Sequence, residues 1–439
     1  MSTHDLERLR RGELAGATRL DLSADLEDFP EEIFALADSL EILNLSGNRL
    51  RSLPAELPRL RKLRVLFCSE NPFAQVPEVL GACPQLEMVG FKSCQIDTLP
   101  AAALPPRLRW LILTGNRLAG LPDELGGCAQ LQKLMLAGNR LTALPDSLAD
   151  LHRLELLRIS ANRLDEVPAW LGELPRLAWL AFAGNTCSDA REARALRQHP
   201  LLPIPREQLA LGEVLGQGAS GVIHRAAWRQ PGAAPRDMAA KLFKGEVTSD
   251  GLPHSEMAAC LTAGPHANLI GVAGPLEAAP DAAPGLLLEL IDPAFRPLAG
   301  PPSLASCTRD CYAPQRRFGL DEVLRIARGT AAAVAHLHAR GILHGDLYAH
   351  NLLVDARGHC LLGDFGAASF FAPEGESGRA LQRIEARAFG CLLEELLERC
   401  ADAGEAPLPR LRQLRDRCLS ANVGERPDFA GLLGELLAL

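Results

Sequence analysis

Three polar residues in the last quarter of the chain have the chemistry of phosphoryl transfer. Asp346 and Asn351 lie five residues apart in HLHARGILHGDLYAHNLLV, and Asp364 follows in LLGDFGAAS. One carboxylate can orient an attacking hydroxyl, while a second carboxylate and an amide hold magnesium against phosphate groups. Each residue alone has ordinary structural uses, so the order and spacing of all three favour the catalytic interpretation.

A glycine-rich stretch and a lysine lie upstream. LALGEVLGQGASGVIHRAAW places Gly216, Gly218 and Gly221 between two strand-like runs, where glycine lets backbone amides approach phosphates closely. A dinucleotide-binding fold would have a helix, not a strand, after these glycines. Lys241 lies in the apolar run DMAAKLFKGE, where an unpaired ammonium group would be costly. We therefore expect it to have an anionic partner, and Glu256 in the helical stretch HSEMAACL is available.

With these motifs in order, residues 207–439 resemble a eukaryotic-type protein kinase domain. The resemblance implies ATP and Mg²⁺ as cofactors and suggests a role for each motif. The three glycines would cover the ATP phosphates. Lys241 would hold the α- and β-phosphates while paired with Glu256, and Asp346 would be the catalytic base.

The same resemblance implies metal and adenine contacts. Asn351 and Asp364 would be the magnesium ligands. The run LLLELI resembles the hinge that grips adenine, with Leu288 guarding the back pocket and Glu289 to Ile291 offering backbone hydrogen bonds. The residues expected to sandwich the adenine ring are Ile223, Ala239 and Leu353.

Four single positions depart from the pattern of that family. Gly345 stands where regulated kinases carry an arginine that pairs with a phosphorylated activation loop, so we expect no such switch. Tyr348 and His350 occupy the places where Ser/Thr and Tyr kinases, respectively, carry a phosphate-contacting lysine or arginine. Glu385 replaces the aspartate that braces the catalytic loop.

The activation segment is also very short. Only AASFF separates Gly366 from Ala372-Pro373-Glu374, the expected closing motif, and in this alignment Glu374 should pair with Arg426. A shortened segment removes much of the platform on which peptide substrates lie. The identity of the hydroxyl acceptor therefore stays open.

The first half of the chain is an array of repeats. From Leu40 to Leu177 an LxxLxL unit returns every 22 or 23 residues, and a degenerate first copy begins near Ala17. Each unit alternates like a short strand, and it can bury its leucines only against its neighbours. Residues 17–188 resemble the leucine-rich repeat family. The fold predicted for the whole chain is an α/β leucine-rich repeat solenoid followed by a two-lobed α+β protein kinase-like domain.

Apolar side chains fill the exposed positions of the repeat strands. A contiguous apolar strip is unusual on a monomer and indicates a covered surface. We expect docking of a partner protein or of the chain's own kinase-like domain; ordinary packing of neighbouring strand residues is the alternative. The apolar strip consists of Val65, Phe67, Met88, Trp110, Ile112, Met135 and Trp179.

Domain boundaries follow from where these patterns stop. Residues 1–16 are expected to form an N-terminal cap, and residues 17–188 the repeat domain. The stretch DAREARALRQHPLLPIP predicts a capping helix and a proline-punctuated linker over 189–206. The kinase-like domain then occupies 207–439.

The composition excludes several other classes. With 46 Lys and Arg against 54 Asp and Glu, the formal charge of −8 offers no basic field for nucleic acid or an anionic membrane. No apolar run approaches the roughly 18 residues of a spanning helix, and the N-terminus lacks the apolar core of a secretion signal. These features predict a cytoplasmic protein, in which the 12 cysteines stay reduced.

The function predicted from these patterns is an ATP-dependent protein kinase of Ser/Thr type, with the repeats selecting a substrate or partner. The His-Gly-Asp-Leu string at 344–347 also resembles aminoglycoside and choline phosphotransferases, which makes a small-molecule acceptor the second interpretation. The third is a nucleotide-binding pseudokinase scaffold. The short activation segment favours a scaffold, whereas the intact Lys241, Asp346, Asn351 and Asp364 oppose it.

Overall fold

The residues that the computed structural model describes are 2–198, 202–218, 220–245, 247–402 and 407–439. They form two compact units, Met1–Leu174 and Pro175–Leu439. Residues 199–201 of the predicted linker lie outside the described ranges. Every helix within those ranges is too short or too polar to cross a lipid bilayer.

The first unit repeats one short element. A helix, α1 (Ser2–Arg10), precedes seven strands of three residues each, and neighbouring strands pair in parallel in sequence order. The middle residue of every strand is a buried leucine or valine, so the sheet forms by packing one repeat on the next. The strands are β1 (Arg19–Asp21), β2 (Ile42–Asn44), β3 (Val65–Phe67), β4 (Met88–Gly90), β5 (Trp110–Ile112), β6 (Lys133–Met135) and β7 (Leu156–Arg158).

Short 3₁₀ helices return the chain from each strand to the next. Most of them begin directly after a proline, whose fixed φ suits an extended residue at a helix start. The 3₁₀ helices of the first unit are Glu31–Leu36, Leu57–Arg59, Glu78–Ala82, Ala101–Ala103, Asp123–Gly127, Asp146–Asp150 and Ala169–Glu173.

A column of buried asparagines links the repeats. Nδ2 of Asn116 donates to the carbonyl oxygens of Phe91 and Leu113 at 2.7 and 2.9 Å, and its Oδ1 accepts from the amide of Ile96 at 3.1 Å. At the one substituted position, the Cys94 thiol donates to a carbonyl oxygen of the preceding repeat at 3.5 Å. The asparagines therefore satisfy backbone groups inside the turns. The column consists of Asn48, Asn71, Asn116, Asn139 and Asn162.

The apolar strip predicted from the sequence lies at the first and third positions of the strands. Within the first unit, Val65 and Met88 are buried. Nζ of Lys133 lies 4.5 Å from the ring centroid of Trp110, which places a cation over the aromatic face. The half-buried members of the strip are Phe67, Trp110, Ile112 and Met135.

The second unit begins with the strand of the last repeat, β8 (Trp179–Ala181), and the helix α2 (Thr186–Gln198). An antiparallel sheet of five strands follows, in the order β12-β13-β11-β10-β9, with the helix α3 (Pro253–Ala263) packed beside it. The strands of this sheet are β9 (Leu209–Gln217), β10 (Gly221–Trp228), β11 (Arg236–Phe243), β12 (Val272–Pro275) and β13 (Gly285–Glu289).

A mainly helical part completes the second unit. Helix α4 packs on α7, and α5 on α6; the helices are α4 (Leu320–Ala339), α5 (Gly375–Glu398), α6 (Pro407–Cys418) and α7 (Phe429–Leu437). Short strands form two small sheets beside these helices. They are β14 (Arg296–Pro297), β15 (Ile342–Leu343), β16 (Leu352–Val354), β17 (Cys360–Leu362) and β18 (Ser369–Phe370). Four 3₁₀ helices lie between the elements of this unit: Arg206–Gln208, Ala349–Asn351, Phe365–Ala367 and Val423–Glu425.

Candidate active site

The glycine-rich stretch forms the turn between β9 and β10. In the antiparallel register, Ile223 lies opposite Gly216 on one side and Lys241 on the other. A Cβ atom on Gly216 or Gly218 would meet nothing within 4 Å, whereas a Cβ on Gly221 would lie 2.5 Å from a backbone carbonyl oxygen of β11. The first two glycines therefore leave open space for a ligand, and the third allows the turn to lie close to β11.

Lys241 and Glu256 form a buried ion pair between β11 and α3. The ammonium group donates to Oε1 of Glu256, and the two side chains are only 12% and 3% exposed. Burial lowers the pKa of Lys241, but the charges of Glu256 and Asp364 raise it by more, so this pKa lies above its usual value. Glu256 is thus the anionic partner that a buried lysine requires, and the lysine stays charged.

Asp364 faces the same cavity as this ion pair. Its backbone is left-handed, with φ of 55°, and its Oδ1 accepts from the amide of Gly366 at 3.2 Å. The cavity lies between the five-stranded sheet, α3 and the Asp364 segment. The predicted site residues that line it are Gly218, Gly221, Ile223, Lys241, Glu256, Leu288 and Asp364.

The loop after β15 places Asp346 and Asn351 side by side. Nδ2 of Asn351 donates to the carbonyl oxygen and to Oδ2 of Asp346, at 2.9 and 2.7 Å. Because the amide nitrogen is committed to Asp346, Oδ1 is the atom of Asn351 suited to a cation. Gly363 joins this loop to Asp364, since its amide donates to the carbonyl oxygen of Asn351 at 3.0 Å and its own carbonyl oxygen lies 2.9 Å from Nε2 of His344.

Glu385 of α5 braces this loop from below. Its Oε1 accepts from the amide of Gly345 at 2.8 Å, and its Oε2 accepts from the amide of His344 at 3.3 Å and lies 2.6 Å from Nε2 of His338. Burial raises the pKa of Glu385, but the hydrogen bond and charge of His338, the charge of His344 and the Gly345 amide together lower it below its usual value. The longer glutamate therefore reaches the backbone amides of this loop, as expected of the aspartate it replaces.

His350, which stands at a position expected to contact phosphate, is held by Asp310. Its Nδ1 lies 2.7 Å from Oδ1 of Asp310, and its amide donates to Oδ2 at 3.0 Å. Burial lowers the pKa of His350, but the hydrogen bond and charge of Asp310, with the charges of Asp346 and Asp364, raise it by more. His350, an imidazole with a raised pKa, thus occupies the position at which Tyr kinases carry a phosphate-contacting arginine.

Arg426 does not pair with Glu374, and this expectation was wrong. Its guanidinium donates to the carbonyl oxygens of Pro175, Ser420 and Arg383, at 2.7, 3.0 and 3.4 Å. Burial lowers the pKa of Arg426 to about 9, whereas Glu374 is exposed at the start of α5. Backbone carbonyls, not a carboxylate, therefore satisfy this guanidinium.

The predicted adenine contacts are divided between two cavities. Leu288 lies opposite Ala239 in the β11–β13 register and lines the cavity described above. Glu289 and Ile291 line a second, more open cavity near the end of β13. The roles assigned to all these residues stay predictions. The predicted site residues that line neither cavity are Gly216, Ala239, Asp346, Asn351 and Leu353.

Several further residues line the first cavity although no motif marked them, among them Cys260, Thr248 and Asp250. Cys260 lies one turn after Glu256 on α3, so the i, i+4 spacing was a signal that could have found it. Burial raises the pKa of its thiol strongly, which keeps it protonated. Thr248 and Asp250 come from the loop before α3, for which the sequence offered no signal.

The residues of this site fit a magnesium–nucleotide complex. The Asp364 carboxylate and the Asn351 amide oxygen are hard ligands of the kind that Mg²⁺ prefers. Among the described residues, no group of three or more His, Cys, Asp and Glu side chains could hold a metal ion. Nucleotide phosphates would therefore have to complete the magnesium coordination, which is how this ion commonly binds in phosphoryl-transfer sites.

These elements define a class of protein. A five-stranded antiparallel sheet carries the Lys241–Glu256 pair, a helical part carries Asp346, and Asp364 lies at the cavity beside the sheet. This arrangement of sheet, helix, cavity and loops is that of a protein kinase fold.

Comparisons with known families agree with this assignment. Residues 209–385 match the family model "Protein tyrosine and serine/threonine kinase". Residues 106–164 and 129–186 match one leucine-rich repeat model, and residues 39–60 match another. The chain therefore combines leucine-rich repeats with a domain of the protein tyrosine and serine/threonine kinase family.

Curated relatives match only parts of the chain. The human "Leucine-rich repeat and calponin homology domain-containing protein 1" is 32% identical over 28% of this chain and 17% of its own length. The human "PH domain leucine-rich repeat-containing protein phosphatase 1" is 33% identical over 21% of this chain and 5% of its own length. The chain thus spans less than a fifth of the length of these relatives.

Two other similarities are also partial. A Dictyostelium discoideum protein described as "Probable inactive serine/threonine-protein kinase roco10" is 30% identical over 24% of this chain and 4% of its own length. The solved structure of a leucine-rich repeat protein from Leptospira interrogans matches with a TM-score of 0.36 and 26% identity, over 41% of this chain and 52% of that one.

Proposed function

We propose that this protein is an ATP-dependent protein kinase that transfers the γ-phosphate to a protein hydroxyl, with serine or threonine as the acceptor. The observation that carries the proposal is the buried Lys241–Glu256 ion pair, which lines the same cavity as Asp364. Keeping an ammonium group buried is costly unless it has anionic partners. A nucleotide phosphate would be a further partner, so the pair is explained by nucleotide binding at this cavity.

The catalytic loop supplies the groups that act on the acceptor. The Asp346 carboxylate would orient the attacking hydroxyl and accept its proton as the bond from the hydroxyl oxygen to the γ-phosphorus forms. The bond from that phosphorus to the β–γ bridging oxygen would break, and ADP would leave. The hydrogen bond from Asn351 fixes the Asp346 carboxylate, and Asn351 and Asp364 would hold the cation. Bound Mg-ATP supplies the phosphoryl group and neutralises its developing charge. Glu385 would act indirectly, by holding the backbone on either side of residue 344.

We further propose that the repeats recognise a substrate or partner. The half-buried members of the apolar strip in the first unit, Phe67, Trp110 and Ile112 among them, are the surface offered for this contact. Trp110→Asp should weaken partner capture without unfolding the repeats, because the side chain is not part of the buried leucine core. Unchanged capture by this variant would contradict the proposal for the strip.

The test of the kinase activity is the intact mass of the protein after incubation with Mg-ATP. The wild-type protein should gain phosphate, and Asp346→Asn should not. Asp321→Asn, which changes an exposed aspartate in the first turn of α4, is the matched control and should behave like the wild type. Peptide mapping then reads whether the acceptors are serine, threonine or tyrosine.

Each other outcome points to a named alternative. If wild type and Asp346→Asn gain equal phosphate, the transfer does not depend on Asp346, as with a contaminating kinase, and it does not support the proposal. If neither gains phosphate and candidate protein substrates stay unmodified, ADP release with small alcohols indicates a small-molecule phosphotransferase. Nucleotide binding without any ADP release indicates a scaffold. Either of the last two results overturns the protein kinase proposal.

A further inference from the structure

The strand of the last repeat contacts the loop that carries Asp346. The indole Nε1 of Trp179, in β8, donates to the carbonyl oxygen of Leu347 at 3.0 Å. The Trp179 ring stacks on Tyr348, with ring centroids 4.2 Å apart and an angle of 6° between the planes. Trp179 is 2% exposed. A single side chain of the repeat pattern thus contacts the two residues that directly follow Asp346.

The backbone of β8 lies equally close to this loop. Gly345 has a φ of +75°, and a Cβ atom there would lie 2.6 Å from the carbonyl oxygens of both Leu180 and Ala367. No larger residue fits between these two oxygens, and the left-handed backbone also favours glycine. The carbonyl oxygens of Leu180 and Ala367 therefore exclude a side chain here, including the arginine that regulated kinases carry at this position.

The segment after Asp364 is held by the two residues that directly follow β8. Oγ of Ser369 accepts from the amides of Phe182 and Ala183, at 2.9 and 3.1 Å. Ser369 is fully buried in β18, which pairs with β15 at the start of the catalytic loop. These bonds satisfy two amides at the end of the last repeat and connect them to the short activation segment.

Two arginines extend the contact along the chain. Arg426 donates to the carbonyl oxygen of Pro175 at 2.7 Å, and Arg387 donates to that of Arg176 at 3.1 Å. Both arginines belong to the helical part, Arg387 on α5 and Arg426 before α7. Residues 175–183 are therefore held at their start by arginines and at their end by Ser369.

The helix that follows β8 contacts α3, which carries Glu256. Leu196 of α2 packs against a cluster of Phe243, Leu261 and Leu286. Glu192, buried on the same helix, places Oε1 3.4 Å from Nε2 of His254 at the start of α3. Helix α2 thus touches the element that must stay in place for Glu256 to reach Lys241.

We propose that residues 175–198 are an internal positioning element, which holds the catalytic loop through Trp179 and Ser369 and holds α3 through Leu196. One contiguous segment contacts both elements that carry the groups named for phosphoryl transfer. None of its side chains reaches the cavity, so its members are positioning residues. The role of this element in catalysis rests on the proposed function, whereas its effect on hydrogen exchange can be tested without it.

The structural test is amide hydrogen exchange of the full chain, measured by mass spectrometry. Trp179→Ala should make the amides of residues 343–351 and 367–371 exchange about tenfold faster, because an aromatic stack and a hydrogen bond are lost. Trp179→Phe keeps a stacking ring and should recover most of the protection. Trp170→Ala is the matched control. It removes a different tryptophan, which lies outside β8 in the 3₁₀ helix Ala169–Glu173.

A second pair of variants tests the contact with α3. Leu196→Ala should speed exchange across 253–263 and weaken ADP binding by about threefold to tenfold, because Glu256 loses its fixed position. Arg197→Ala changes the exposed neighbour and should do neither. Unchanged exchange in both Trp179→Ala and Leu196→Ala overturns the proposal. If Trp179→Ala fails to fold, the comparison between wild type and Trp179→Phe decides the role of the indole donor.

Kinetics separate this proposal from the proposed function. If the wild type transfers phosphate, Trp179→Ala should lower kcat with little change in the KM for ATP, and Leu196→Ala should raise that KM. If Trp179→Ala changes kcat and the KM for ATP no more than the Trp170→Ala control does, Trp179 has no positioning role. If the wild type and all variants fail to transfer phosphate while Trp179→Ala and Leu196→Ala still speed hydrogen exchange as expected, the kinase proposal fails and the positioning proposal is supported.

Discussion

The two units satisfy their buried polar groups in different ways. In the first unit the recurring buried group is a neutral asparagine, and the partners of Asn116 lie only 3 to 25 residues away in the chain. In the second unit the buried polar groups include ionisable side chains that do not recur at a fixed spacing, among them Glu256, Glu385 and Arg426. A neutral amide is cheaper to bury than a charge, and it does not titrate. The repeats therefore reuse one local solution, whereas each charge of the kinase domain needs its own partner.

The largest loss of stability is expected when one charge of a buried ion pair in the kinase domain is removed. Lys241→Met leaves the Glu256 carboxylate buried without its cation, which should cost about 3–5 kcal/mol of unfolding free energy in the second unit. ADP affinity should fall at the same time. Chemical denaturation and ADP titration measure both effects. Lys244→Met, at an exposed lysine three residues on, is the control, and an equal effect of the two changes would contradict the role of the ion pair.

Removing one asparagine side chain from the column tests how the first unit is stabilised. Asn116→Ala leaves two carbonyl groups and one amide without their side-chain partner, which should cost about 3 kcal/mol. Hydrogen exchange should become faster in β4–β6, while ADP affinity stays unchanged. Asn44→Ala is the control because the Asn44 amide bonds the exposed Asp21 side chain. If exchange in β4–β6 stays as slow as in the control, the asparagine column does not stabilise the repeats.

The ionisable groups should also make stability depend on pH. Burial raises the pKa of Glu395 from 4.5 to about 7, beside Arg309 and Tyr312. Between these two values the folded state binds more protons than the unfolded state, so the unfolding free energy falls as pH rises from about 4.5 to 7. The fall should be about 2 kcal/mol between pH 5 and pH 8.

The variant Glu395→Gln should remove this fall. Its destabilisation relative to wild type should therefore be larger at pH 5 than at pH 8. Urea unfolding of the full chain at both values measures the difference. The exposed Glu398 offers the control Glu398→Gln, which should keep the wild-type slope. A Glu395→Gln slope equal to the wild-type slope would show that this carboxyl does not titrate as described.

Glu385→Gln is expected to have the smallest effect. The amide oxygen can still accept one backbone hydrogen bond, but the NH₂ group cannot accept the other, and the charge that His338 faces is lost. The cost should be about 1–2 kcal/mol at pH 7. The lowered pKa of Glu385 means that its carboxylate contributes stability above about pH 4.5. That contribution is lost as pH falls through the lowered folded-state pKa.

Thermal unfolding compares Glu385→Gln with wild type at neutral and acid pH. The difference in unfolding free energy should shrink as the medium becomes more acid, because the wild-type carboxyl is then neutral too. Glu376→Gln, at an exposed glutamate in the first turn of α5, should show no difference at any pH. If the difference in unfolding free energy between wild type and Glu385→Gln does not change with pH, the loss of stability comes from altered packing or hydrogen bonding and not from the lost charge.

Much of the fold and part of the site could be predicted from the sequence. The repeats follow from a period of 22 or 23 residues, and the Lys241–Glu256 pair follows from a buried lysine before a helix. The catalytic loop was likewise marked by its motif. Thr248 and Asp250 escaped prediction because they come from an irregular loop, where side-chain spacing carries no periodic signal.

The sequence by itself determined the repeat strands, the order of the kinase motifs and the residues that could carry phosphoryl transfer, because each depends on short-range spacing. Only the tertiary structure decided which groups fill the space around the catalytic loop. Trp179 and Leu347 are 168 residues apart, and Arg426 and Pro175 are 251 apart. Contacts over such separations depend on how whole elements pack, so no local pattern encodes them. For the same reason a carbonyl oxygen of β8, and not a neighbour in the chain, excludes a side chain at Gly345.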